Sequence, residues 1–123
     1  MYRQEGQNYH PHWHCGHTTS SLTGRFATQN CLIISTTGYW QSAIIVRNET
    51  SSLRGFTATS EEATSYNGPY TDYTCPRSGI GTGPNGYSVC FGATHKIATA
   101  QIYAFGWTSD GVELVAPEGV VGD

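Results

Sequence analysis

Residues 97–107 read Ile97-Ala98-Thr99-Ala100-Gln101-Ile102-Tyr103-Ala104-Phe105-Gly106-Trp107. Side chains alternate between the two faces of an extended strand. Ile97, Thr99, Gln101, Tyr103, Phe105 and Trp107 therefore share one side, and Ala98, Ala100, Ile102, Ala104 and Gly106 the other. Small residues opposite a row of rings predict a strand packed closely against a second layer. Similar runs lie on either side: Tyr87–Phe91 before it and Val112–Val115 after it. Further back come Cys31–Ser35, Tyr39–Arg47 and Gly55–Thr59, each bounded by Gly, Ser, Thr or Asn. The three early runs read as a meander, with the polar stretch Arg47–Gly55 as a longer connection between antiparallel neighbours. Roughly six or seven strands result, which predicts an all-β fold: a single small antiparallel sandwich, jelly-roll or barrel.

Composition agrees. The chain has 123 residues, enough for one core. Leu, Ile, Val and Phe make up only 21 of the 123, but 3 Trp, 8 Tyr and 4 Phe supply large rings, and the net charge is just −3. That is not the composition of a disordered chain. Abundant Gly, Ser and Thr favour strands and turns over helices. Residues 1–30 are polar and without periodicity, and read as an extended arm. Residues 31–116 read as the globular part and 117–123 as a flexible tail. Within the body, 60–86 is least regular. Ser60-Glu61-Glu62-Ala63 is expected to form one helical turn, ended by Asn67-Gly68-Pro69. The rest reads as a tyrosine-rich loop. Tyr66, Tyr70 and Tyr73, with Tyr87 beside them and Trp40 elsewhere, are the candidate binding surface, because Tyr combines rigid contact area with a polar tip. The competing reading makes these rings the cover of a thin core.

Charge and apolar runs exclude several partners. The basic residues Arg3, Arg25, Arg47, Arg54, Arg77 and Lys96 are scattered, so no stripe exists to neutralise phosphates and nucleic acid is not expected. Runs such as Ala43-Ile44-Ile45-Val46 are far short of the roughly 20 residues that cross a bilayer, so membrane insertion is not expected either. Cys15, Cys31, Cys75 and Cys90 allow three pairings. Local bridges, Cys15 with Cys31 and Cys75 with Cys90, come first because both loops are short, and each would contribute about 3 kcal/mol. Four free thiols, with Cys31 and Cys90 as small core residues, are the alternative. Asn48-Glu49-Thr50 is a sequon that matters only on a eukaryotic secretory route.

The strongest chemical signal is His10-Pro11-His12-Trp13-His14-Cys15-Gly16-His17. In an extended segment His10, His12 and His14 share a face, offering three imidazoles to a divalent metal such as Fe or Zn. Further ligands would come from His17, Cys15, His95, water or symmetry copies. A plain polar arm, or a contact that loosens as imidazoles protonate, explains the cluster equally simply.

His10-Pro11-His12 and His12-Trp13-His14 resemble the H-x-H motif near the tips of phage tail spikes and long tail fibres. That resemblance implies an iron held on a trimer axis by histidines from intertwined chains. The order Ser42–Thr50, Gly55-Phe56-Thr57-Ala58 and Ile102–Trp107 is similar to that of small β modules in phage fibres and H-type lectins. It implies a β fold with a binding or structural role.

Enzyme motifs are poorly represented. Gly81-Thr82-Gly83-Pro84-Asn85-Gly86 matches G-x-G-x-x-G by letter, but no helix is expected after it to hold a pyrophosphate. No G-x-S-x-G elbow, H-E-x-x-H pair or P-loop lysine occurs. A carboxylate pair drawn from Glu61, Glu62, Asp72 or Asp110 is the remaining catalytic option. The leading expectation is a non-enzymatic structural or receptor-binding module. It would self-assemble as a homo-oligomer, act in a virion or outside the cell, and meet cell-surface glycans or other virion proteins. The alternatives are a secreted, disulfide-bonded, lectin-like domain and a small zinc hydrolase.

Overall fold

A computed structural model describes residues 12–21, 23–65, 67–75, 80–98 and 101–108, and the backbone of 113–115 and 119–120; His12, Ile80 and Gly81 are likewise described as backbone. The described residues form strands and no helix. In chain order these are β1 (His12–Cys15), β2 (Thr19–Ser20), β3 (Phe26–Ile34), β4 (Tyr39–Asn48), β5 (Arg54–Phe56), β6 (Ala58–Ala63) and β7 (Thr71–Thr74). There follow β8 (Ile80–Thr82), β9 (Tyr87–Phe91), β10 (His95–Lys96), β11 (Gln101–Thr108), β12 (Glu113–Val115) and β13 (Gly119–Val120).

Two antiparallel sheets make a sandwich, and no closed barrel forms. The larger runs β1-β3-β4, with β9 and β10 both paired to the free side of β4 and β2 to β3. The smaller runs β12-β11-β6-β7, with β13 also on β11. β5 and β8 form a separate pair. The faces of β11 divide as its alternation predicts. A Cβ added at Gly106 would lie 2.3 Å from Ile44 Cδ1 and 2.7 Å from the Thr59 carbonyl, so glycine lets β11 approach β4 of the opposite sheet. Ile102 and Ala104 bury on that side with Leu32 and Trp40. A second cluster joins Phe26, Ile44, Val46, Phe56, Ala58 and Cys90.

All four cysteines are oxidised. Cys15 and Cys31 face each other across β1 and β3. Cys75, just past β7, is bonded to Cys90 on β9 and so staples one sheet to the other. At about 3 kcal/mol each for loops of this length, the bridges supplement a core poor in aliphatic side chains. Disulfides persist in oxidising compartments, so the pair fits an extracellular or other non-cytoplasmic setting. No helix of the described residues is long and apolar enough to cross a membrane.

Several sequence expectations change. Residues 12–30 are not a separate arm: β1, β2 and the first half of β3 are laddered into the larger sheet. Their polarity hides a period of two, since Phe26, Thr28 and Asn30 alternate inward. Gly119–Val120, within the stretch read as a tail, pairs with β11. The run Gly55–Thr59 divides at Thr57, and its halves join different sheets. Ser60–Ala63 continues β6 as strand, with Ala58, Ser60 and Glu62 buried in phase, so no helical turn forms there. Residues 60–86 are not one loop, because β7 and β8 interrupt them. The many short pairings explain why the strands outnumber those expected.

The sequon is closed by the fold. Asn48 is 0% exposed; its Nδ2 donates to the carbonyls of Ser52 (2.7 Å) and Thr82 (2.9 Å), and its Oδ1 accepts from the Thr50 amide and hydroxyl. Asn48→Ala strands two carbonyls and should lower the unfolding free energy by about 2–4 kcal/mol. Chemical denaturation measures this, and an unchanged midpoint would contradict the assignment. The folded protein offered to an oligosaccharyltransferase should remain unmodified at Asn48.

Candidate functional site

β4 changes partner along one side. β9 pairs with Ala43–Arg47 and β10 with Tyr39–Trp40, while 92–94 leave the ladder between them. At the step after the Ala43–Phe91 pair, a regular ladder would have Ser42 and Gly92 exchange two bonds. One survives, from Gly92 N to Ser42 O at 2.9 Å. The Gly92 carbonyl instead accepts Gln41 Nε2 at 2.8 Å. The Ser42 amide is thereby released, and Glu62 from the other sheet takes it.

Glu62 is only 2% exposed. Its Oε2 accepts both the Ser42 amide and the Ser42 hydroxyl at 2.8 Å, and Ser42 Oγ also lies 2.6 Å from Ser60 Oγ. Its Oε1 is 2.6 Å from Nε2 of half-exposed His95. An isolated buried carboxylate is costly, and this cage of donors is what makes the position tenable. Gly92 leaves it room, since a Cβ there would lie 2.2 Å from Ser42 Oγ and 2.4 Å from Glu62 Oε2. The His95 ring sits 5.1 Å from that of Trp40, its cross-strand partner. Tyr73, opposite Ser60 on β7, completes the surroundings. Burial, then the Glu62 charge, then a hydrogen bond to Glu62 raise its phenol above the ordinary 10.0.

A pocket of about 230 Å3 opens here, lined by Trp40, His95, Lys96, Pro69, Thr64 and Thr71 with Glu62 behind them. Of the tyrosine surface read from the sequence, the structure brings only Trp40 and Tyr73 to this place. Tyr70 packs edge-on to Phe105 at 5.4 Å. Tyr87, 64% exposed on β9, lies under the Arg47 guanidinium at 6.0 Å. These side chains do not form one surface, because alternation sends them to different faces. Tyr66 lies outside the described residues.

His10 also lies outside them, and His12 is described only as backbone. His14 is opposite Leu32, and His17 is exposed beyond β1. Among the described residues no three His, Cys, Asp or Glu side chains gather as metal ligands. Cys15 is spent in a disulfide. The register His12–Ile34–Trp40–His95 puts His95 three strands from β1, about 14 Å away, so it does not complete a site with His12. Gly81 belongs to β8, and β9, a strand, follows the G-x-G-x-x-G letters.

No protein-family model matches the sequence, and no curated protein sequence does. A solved structure of the Pseudomonas fluorescens alkylpurine DNA glycosylase AlkC, bound to DNA containing an abasic-site analogue, is similar over 68% of this chain at 6% identity with a TM-score of 0.44. The chain spans 25% of that protein's length, and a likeness this low carries no argument.

Two outcomes test the geometry. Gly92→Ala should destabilise by about 1–3 kcal/mol through overpacking, whereas Gly83→Ala, whose Cβ meets nothing within 4 Å, should not; equal melting temperatures would refute the packing. For Tyr73, the folded state holds the phenolic proton more tightly than the unfolded chain. Its contribution is therefore complete below about pH 10 and lost as pH rises through the raised value. Denaturant titrations between about pH 9 and 11 should show wild type losing more stability than Tyr73→Phe, and parallel losses would count against the contact.

Proposed function

We propose that the chain is a non-catalytic recognition module working outside the reducing cytoplasm, which takes one sugar ring of a glycan into the pocket beside Trp40 and His95. The lining carries this reading: Trp40, His95 and Pro69 supply ring surfaces and Thr64 and Thr71 supply hydroxyls. A sugar has apolar C–H faces and a fringe of hydroxyls, and suits a wall of this mixed kind. A volume of about 230 Å3 is below the ~300–1,000 Å3 of drug-sized sites, which favours a single ring or a chain end. The bond to Glu62 holds the imidazole in place, so less side-chain freedom is lost on binding. Ser42 Oγ is engaged with Glu62 and Ser60 and not with His95, which favours binding over an acyl-transfer dyad.

A glycan array followed by calorimetric titration tests this. The folded protein should bind a monosaccharide or glycan terminus with a dissociation constant of about micromolar to millimolar. Thr71→Val and His95→Phe should weaken it about tenfold or more by removing polar partners, while Tyr87→Ala leaves it unchanged. A folded protein that binds no glycan on the array or in titration refutes the reading.

A further inference from the structure

Lys96 is the only lysine in the chain, and it lines this pocket. Among the described residues it has no ion-pair partner, whereas Arg47 is paired with Glu49 and Glu62 with His95. The acids nearest in sequence are placed elsewhere: Glu61 and Asp72 oppose each other across β6 and β7, on the face turned away from Ser60 and Glu62. Glu62 itself offers a ligand almost nothing, because it is 2% exposed, Ser42 holds its Oε2 and His95 its Oε1. In a chain of net charge −3, an unpaired cation at the mouth of a pocket is a local reversal of sign.

We infer that the sugar taken by this pocket bears a carboxylate, as a uronic acid does, and that Lys96 is its charge partner. The inference rests on the glycan reading above and narrows it. A uronic acid differs from its neutral counterpart by a carboxylate in place of a hydroxymethyl group, so Lys96 distinguishes them by charge alone. An ammonium on an exposed edge strand makes a screened pair, worth about fivefold in affinity and sensitive to salt.

Calorimetric titration of methyl glucuronide and methyl galacturonide against the corresponding glucoside and galactoside, at about 20 mM and 500 mM NaCl, reads this directly. The better uronide should bind about fivefold tighter than its neutral partner at low salt, with the advantage shrinking at high salt. Lys96→Gln should abolish the preference without changing the melting temperature, and Lys96→Arg should keep it. Equal affinity for acidic and neutral sugars overturns the inference and leaves the glycan reading standing. A preference that survives Lys96→Gln overturns the role of Lys96. Failure of both sugar classes on a folded protein overturns the glycan reading and this inference together.

Discussion

The carboxylate of Glu62, rising from one sheet to accept the free Ser42 amide of the other, is the contact on which this end of the sandwich depends. Hydrogen bonds within a sheet satisfy its own backbone but say nothing about a second sheet. Here an unsatisfied amide and an acid that needs donors settle the relative position of both. The geometry is demanding: Ser42 supplies two bonds, His95 a third, and Gly92 the empty volume. Removing any one leaves either a buried amide without an acceptor or a buried charge with too few donors.

A small aliphatic complement explains why the fold relies on such devices. Ser42, Ser60, Asn48 and Thr28 occupy interior positions that a larger domain would fill with Leu or Ile. Their burial is tolerable because each is bonded: Ser42 and Ser60 to each other beside Glu62, Asn48 to two loop carbonyls, and Thr28 to the Thr19 carbonyl. Polar groups of this kind add directionality that dispersion between methyl groups lacks. The Cys75–Cys90 bridge then joins the sheets covalently at a second point. The two disulfides and the polar network together do what a bigger hydrophobic core does elsewhere.

Where side chains alternated by hydrophobicity, the strands were legible: Tyr39–Arg47 and Tyr87–Phe91 match β4 and β9 closely, and the small face of 97–107 meets the other sheet as expected. Where alternation was carried by polar residues it was hidden. Thr28 and Asn30 looked like part of an arm, and Ser60-Glu61-Glu62 looked like a helix start, because Ser and Glu favour helix N-termini when nothing tertiary competes. The missed signal was phase: Ala58, Ser60 and Glu62 share one parity with the aliphatic start of that strand. Trp40 was recognised as a binding residue, but its neighbours Glu62 and His95 lie 22 and 55 positions away, and only the change of partner on β4 unites them. The histidine run drew attention by density, yet density in sequence does not bring side chains to a common point.

The place of the pocket follows from the same discontinuity. Along most of β4 the ladder is complete and its inner side chains are covered by the second sheet, so nothing polar there is both held in place and reachable. At the exchange of β9 for β10 the ladder opens, and its backbone group must be answered by a side chain from across the core. That side chain is an acid, and the group it fixes outward is an imidazole beside an indole. Structural necessity has therefore placed an oriented polar group next to ring surface at the edge of the core, with Lys96 the next residue on the same short strand. Recognition needs little beyond that arrangement, and it arises from the interruption of one strand ladder rather than from an added loop.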